Sequence, residues 1–533
     1  MREVTRAPEE QPTPSATRGT GAGIQSTAGG PGAAIGSVPG GSERATLSTA
    51  RESESDQGTP SATSTVGSPP VRLLELADGI PPVVSTAREL RQTIQRLAAG
   101  TGPVAVDAER ASGYRYGQRA YLVQLRRAGA STALIDLMGC PDLTELGRAI
   151  VDAEWVLHAA SQDLACLAER GLRPQRLFDT ELAGRLAGFS RVGLAAMVEA
   201  VLGYRLEKQH SAVDWSRRPL PPSWLRYAAL DVEVLVELRD ALELELARQG
   251  KLEFARQEFA ALAAAPTPAR RPEPWRRTGG IHRVRSRRQL AAVRELWQAR
   301  DALGRERDLA PGRVLPDAAL IAVALAAPAD DAALMSLPAF GGPGGSPDLG
   351  GSPGSGRRSP DSGGRLPASP RRSPGSGGSP GSGGSPGSPR RSGSGGSPGS
   401  DRSLRAARRH ASTWLTALRA AESLSEAELP SMSAPTGALP STSRWGDRDP
   451  AAAARLAAVR AVVTRLGDAY AIPVENLVPP DALRQLAWSP PAEVDDFAVA
   501  SALRTAGARP WQVHLVAPSV TAALAAPSAA AAP

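Results

Sequence analysis

The sequence predicts an α/β domain followed by all-α helical domains, with a low-complexity tail in front and a low-complexity insertion inside the helical part. Three observations lead there. Short apolar runs such as Val104-Ala105-Val106, Tyr121-Leu122-Val123 and Ala133-Leu134-Ile135 alternate with helix-like stretches from Leu73 to about Leu262. Beyond that block the apolar spacing turns helical, with Leu290, Val293, Leu296 and Trp297 on one face. Residues 341–400 are almost wholly Gly, Ser, Pro and Arg, in repeats such as Gly-Gly-Ser-Pro-Gly-Ser, a composition that forms a flexible chain without a core.

Taken in chain order, residues 1–70 are rich in Ser, Thr, Gly and Pro with no apolar period, so they read as a disordered tail. Residues 72–265 form the α/β domain and 266–280 a Pro- and Arg-rich linker. A helical domain over 281–421 is interrupted by low-complexity 341–401, and a second helical domain covers 450–515. The two share a phrase. Val314-Leu315-Pro316-Asp317-Ala318 is echoed by Leu477-Val478-Pro479-Pro480-Asp481-Ala482, as expected of tandem copies and also of any Pro-Asp helix start.

The net charge of +8 is unevenly spread: residues 266–400 carry +10, whereas 72–265 carry −1. A nearly neutral, acid-rich unit joined to a basic one suits a catalytic part beside a part that grips phosphate. Two cysteines, Cys140 and Cys166, exclude a disulfide framework or a cysteine zinc cluster and fit a reducing compartment. No apolar run approaches bilayer length, and the N-terminus lacks the apolar core of a secretion signal. The expectation is a soluble, cytoplasmic protein.

Four acids and a tyrosine carry the chemistry. In Val104-Ala105-Val106-Asp107-Ala108-Glu109 the period of a strand places Asp107 and Glu109 on one face at its end. Carboxylates so placed repel one another without a cation, and hard divalent ions take carboxylate oxygens. Trp155 to Asp163 reads as a buried strand, a turn, and an acid at a helix start, where it also suits the helix dipole. Tyr227-Ala228-Ala229-Leu230-Asp231 puts phenol and carboxylate on one helical face. Each element alone is ordinary; their order within one α/β block is what points to a site.

These three elements resemble the motifs of the DEDD superfamily of 3′→5′ exonucleases, and within it ribonuclease D. Asp107 and Glu109 match the first motif, His158 to Asp163 the second, and Tyr227 with Asp231 the Tyr-x-x-x-Asp third motif of the tyrosine subclass. The histidine subclass has His five positions before the last Asp, where this chain has Arg226. The helical part, 287–340 with 402–421, resembles the HRDC nucleic-acid-binding domain, and 450–515 would be a second HRDC-like domain. Residues 341–400 depart from that pattern.

The resemblance implies an RNase H-like fold in which Asp107, Glu109, Asp163 and Asp231 hold two divalent ions, Mg²⁺ or Mn²⁺, while Tyr227 orients the attacking water. It also implies release of nucleoside 5′-monophosphates from single-stranded RNA 3′ ends, in maturation of transfer RNA precursors above all or in RNA turnover. Paired basic modules suit clamping one RNA within a monomer, and no obligate protein partner is expected. A threaded strand needs stacking partners and cations. Tyr114, Arg115, Tyr116 and Arg119 after the first motif, Gln124 on the next strand, and His158 and Lys208 are the candidates. For the loop, a solvated polar turn is the other reading; for His158, a structural strand-end histidine. The rival functions are a 3′→5′ exonuclease acting on DNA and a non-catalytic RNA-binding scaffold.

Overall fold

Eight strands lie between Arg72 and Arg205 among the described residues: β1 (Arg72–Leu73), β2 (Val83–Val84), β3 (Thr101–Arg110), β4 (Ala120–Ala128), β5 (Ser131–Asp136), β6 (Glu154–Leu157), β7 (Arg176–Asp179) and β8 (Tyr204–Arg205). The computed structural model describes residues 72–207, 210, 212–266, 271–340, 405, 407–432 and 439–526; the expected tail at 1–70 and insertion at 341–401 lie outside them. β1 and β8 pair by themselves, and the other six strands make one mixed sheet in the order β2-β5-β4-β3-β6-β7. β3 is central, antiparallel to β4 and parallel to β6. All three strands expected from apolar runs are present.

Helices cover both faces of this sheet, which is why Val104, Ala105 and Val106 are all wholly buried. They are α1 (Ala87–Ala99), α2 (Thr144–Ala149), α3 (Leu164–Ala168), α4 (Thr180–Ala187), α5 (Leu194–Met197), α6 (Pro222–Glu233), α7 (Leu235–Arg248) and α8 (Leu252–Ala263). On one face Val104, Val106 and Trp155 pack with Leu97 of α1 and Leu146 of α2. On the other, Leu122 and Leu134 pack against Ala228 and Ala229 of α6 and the buried Trp215. Small residues on α6 let that helix approach the strands, and this approach brings its acid to the sheet. α1 starts with a capping box: Glu89 N–H donates to Thr86 Oγ1, and Thr86 N–H to the Glu89 carboxylate.

The first helical domain contains α9 (Arg287–Glu306), α10 (Pro311–Val314), α11 (Asp317–Ala326), α12 (Asp331–Ser336) and α13 (Ala411–Ser423). Its core includes Leu290, Val293, Leu296, Phe340, Trp414 and Leu418. Trp275 is buried in the same core, with Arg276 stacked 4.3 Å over its ring. The expected linker at 266–280 is therefore corrected: its second half belongs to the helical domain, because an indole among charged residues finds its apolar partner there. Phe340 and Arg408, on either side of the expected insertion, meet directly: Arg408 Nε donates to the Phe340 carbonyl at 2.8 Å.

The last helical body runs from Thr442 to Ala525, wider than the 450–515 read from sequence. Its buried residues Leu456, Leu486 and Val516 form one apolar cluster with Leu186, Leu242 and Phe259 of the α/β domain. Trp511 stacks on Phe254 at 4.6 Å and donates its indole N–H to Glu258. The repeated phrase has a repeated geometry: a short helix, an extended residue (Leu315 or Val478), a proline, then a new helix. Among the described residues no helix is long and apolar enough to cross a membrane.

Candidate active site

Asp107 and Glu109 project from the end of β3 on the face that α6 covers. Asp231 arrives one helical turn after Tyr227 on α6. Carboxylate oxygens of Asp107, Glu109 and Asp231 all lie within 4.8 Å of one another. Asp163 comes from the turn beyond β6, the neighbour of β3, and stands at the N-cap position of α3 without a side-chain capping bond. Its Oδ1 is 3.3 Å from Arg110 Nη2, yet that buried oxygen makes no hydrogen bond.

The electrostatics follow from burial without compensation. Desolvation, opposed by the Ala108 N–H and Arg110, leaves Asp107 up at about 6. Burial and then the charge of Asp107 push Asp163 to about 8. The same two causes hold Asp231 well above the carboxylate range, and burial with Asp107, Asp231 and Asp163 does so for Glu109. The Tyr227 phenol is raised too, by burial and then by Asp231, Glu109 and Asp107, so it keeps its proton. Four hard oxygen donors forced together, one of them an orphaned buried oxygen, fit divalent cations of the Mg²⁺ type.

Two supports position these groups. Asp179, at the end of β7, accepts from Ala159 N–H at 3.0 Å and Ala160 N–H at 2.9 Å while capping α4 through Glu181 and Leu182. It thereby fixes the turn that leads to Asp163, in which Ala159 has a left-handed φ of 59°. Trp215 packs against Trp224 and Tyr227 with centroids at 5.4 and 6.4 Å. Arg218 ties that segment to the sheet by bonding Asp136 and the Tyr121 carbonyl.

The expected nucleic-acid contacts fare differently. Gln124 is corrected: it pairs with Asp107 across β3–β4 and is wholly buried, so it cannot touch a strand in the cleft. Its amide has no hydrogen-bond partner. His158 is corrected as well. It is largely buried, its Nδ1 sits 2.9 Å from Thr180 Oγ1, and burial lowers its pKa to about 4, which makes it a neutral structural group. Lys208 lies outside the described residues.

Tyr114, Arg115, Tyr116 and Arg119 are turned toward the first helical domain. Tyr116 donates its hydroxyl to Asp301 at 2.9 Å and its N–H to Asp308 at 3.2 Å. Arg313 stacks 4.0 Å over Tyr114 and donates to the Gly113 carbonyl at 2.6 Å, and the Tyr114 carbonyl accepts from Ala310 N–H. Arg115 donates to Ser216 at 2.7 Å. Their reading as RNA contacts is thus replaced by a domain contact. The residues that sequence reasoning missed are the partners, Asp301, Asp308 and Arg313, and Arg110 beside the acids.

Comparison with known proteins places this geometry. Residues 81–247 match a family described as 3'-5' exonuclease, and 289–344 match the HRDC domain. Residues 438–524 match the 3' to 5' exonuclease C-terminal domain, and the expected 450–515 domain falls inside that stretch. The ribonuclease D of Nitrobacter hamburgensis is 32% identical over 268 residues, covering 48% of this chain and 68% of the relative. The chain belongs to the ribonuclease D family. The ribonuclease D of Acidiphilium cryptum is 35% identical over 261 residues, and there the chain spans 64% of the relative's length.

A crystal structure of a Bifidobacterium adolescentis protein is similar with a TM-score of 0.69 and 36% identity, covering 85% of this chain and 99% of that one. Escherichia coli RNase D shares the fold with a TM-score of 0.53 at 24% identity, covering 83% and 98%. In ribonuclease D terms, then, the acids of this chain stand on an α/β exonuclease domain followed by a helical HRDC region.

Proposed function

We propose that this protein is a 3′→5′ exoribonuclease that hydrolyses single-stranded RNA 3′ ends, such as those of transfer RNA and other stable RNA precursors, to nucleoside 5′-monophosphates. The observation that carries this reading is the convergence of Asp107, Glu109 and Asp231 with Asp163 and a protonated Tyr227 at the end of the central strand β3. Asp107, Glu109, Asp163 and Asp231 would hold two divalent ions, Mg²⁺ or Mn²⁺. Bound there, such ions activate water and neutralise charge developing on the phosphate.

The chain's own residues do the rest. The four carboxylates fix where cations and therefore the scissile phosphate sit. Tyr227 keeps its proton, so its hydroxyl donates a hydrogen bond that orients water or a phosphate oxygen and does not act as the base. Trp215 holds the phenol ring in place. The basic stretch 266–340, with a net charge of +5, supplies attraction for the RNA backbone. The chain acts as a monomer in this reading.

The test is to incubate the protein and Asp107→Asn with matched RNA and DNA single strands in Mg²⁺ and in EDTA. Metal-dependent mononucleotide release from RNA, slower on DNA and lost in the variant, is expected. Equal release from DNA would transfer the reading to a DNA exonuclease, and binding without shortening would transfer it to a scaffold.

A further inference from the structure

Asp163 stands apart from the other three acids. Asp107, Glu109 and Asp231 form a trio tight enough for one ion, and Asp163 is not part of that trio. It is only 5% exposed, and the cation that reaches it is the guanidinium of Arg110, 3.3 Å away. Arg110 comes directly after Glu109, at a point where the strand register slips: Glu109 pairs with Leu122 but Arg110 with Ala120. Such irregularities re-aim side chains next to active sites. On Asp107 and Glu109 the Arg110 charge is the smallest of the acting causes, so its main carboxylate partner is Asp163.

The contact is electrostatic and imperfect. Asp163 Oδ1 gains no hydrogen bond from it, and the arginine side chain is 23% exposed, with solvent to turn toward. A guanidinium stays charged at any working pH, so it occupies this position until something stronger replaces it.

We infer that Arg110 is the resident counter-ion of the ionised Asp163 carboxylate, the form that can take a metal, and that a divalent ion on the Asp163 side binds only by displacing it. This rests on the reading of the site as a divalent-ion centre. The two ions then bind unequally: one tightly at Asp107, Glu109 and Asp231, the other weakly against Arg110. Arg110 sets the metal concentration at which the second position fills.

The experiment is calorimetric titration of the full chain with Mn²⁺, without RNA, for the wild type, Arg110→Gln and Arg110→Lys. Two classes of binding are expected in the wild type. Arg110→Gln should tighten the weaker class by about fivefold to tenfold and leave the tighter within about twofold, since only the competing charge is removed. Arg110→Lys should behave like the wild type, and an unchanged tighter class reports an intact fold. A weaker class unmoved or weakened by Arg110→Gln, or a single class in both proteins, would overturn the inference while leaving the metal site standing. If neither protein bound Mn²⁺, the divalent-ion reading itself would fall.

Discussion

Arg119 Nη2 donates to Asp308 Oδ2 at 2.8 Å, joining the loop after β3 to a residue just past α9, 189 positions later in the chain. Asp308 also accepts from Tyr116 N–H, and Arg115 lies 3.8 Å away. One carboxylate thus gathers three groups of a loop that starts next to Glu109 and Arg110. The ion pairs are half-exposed and individually weak. Their joint effect is to decide where the loop sits.

Asp308→Ala should therefore free the loop at small cost to the fold, about 1 kcal/mol or less. Hydrogen exchange at residues 112–119 should rise, and Mn²⁺ binding should stay as in the wild type. Gly304→Val should act more strongly, because a Cβ there would meet the Leu309 carbonyl at 3.0 Å and the Tyr116 ring at 3.4 Å. Unchanged exchange in both variants would mean that the loop holds its position without the helical domain.

Removing an acid should stabilise the metal-free protein. Asp163 titrates at about 8 in the fold, against roughly 4 when unfolded. The folded state therefore binds the extra proton, and wild-type stability in EDTA falls as pH rises from about 4 to 8. Asp163→Asn lacks that loss. Its advantage over the wild type should be absent near pH 4 and grow as the pH rises toward 8. Thermal melting in EDTA and in Mg²⁺ checks this, with the advantage shrinking once ions neutralise the wild-type site.

Asp179 is the strut under Asp163, and Asp179→Ala should show it. Four backbone N–H groups lose their acceptor, two of them buried at Ala159 and Ala160. A loss of about 2–4 kcal/mol is expected, because a cap and buried donors go together. Asp179→Asn keeps one acceptor oxygen and should recover about half of it. Equal melting of all three proteins would mean that the turn is held by other contacts.

The acids and Tyr227 were legible because the chemistry constrains local sequence: period two brings Asp107 and Glu109 to one face, and a helical turn joins Tyr227 to Asp231. The loop of Tyr114, Arg115, Tyr116 and Arg119 was misread for the opposite reason. Aromatics interleaved with arginines look like a strand-binding surface, and their partners Asp301, Asp308 and Arg313 lie 185 to 200 positions away, beyond any local pattern. Gln124 was misread because its exposure depends on the β3–β4 register and on how closely α6 descends. Arg110 stood in plain view beside Glu109, but strict alternation would have turned it to the other face. Trp275 entered the helical core from a stretch whose composition reads as linker.

The low-complexity insertion should be removable. Phe340 is wholly buried in the helical core, as is Ala407, whose carbonyl accepts the Trp414 indole N–H at 2.8 Å. Arg408 bonds Phe340 directly, so the chain leaves and re-enters the domain at one place. A short loop can close that gap, and closure entropy changes by only about 0.6 kcal/mol per doubling of length. Replacing residues 341–401 with a few Gly and Ser should therefore leave melting within about 1–2 kcal/mol of the wild type. Cleavage of short single strands should be retained, and seven arginines are lost, so the salt dependence of RNA binding should flatten if they touch phosphate. Loss of the HRDC-region fold on this replacement, seen by proteolysis at α9 or α13, would show that the stretch is part of the domain's structure.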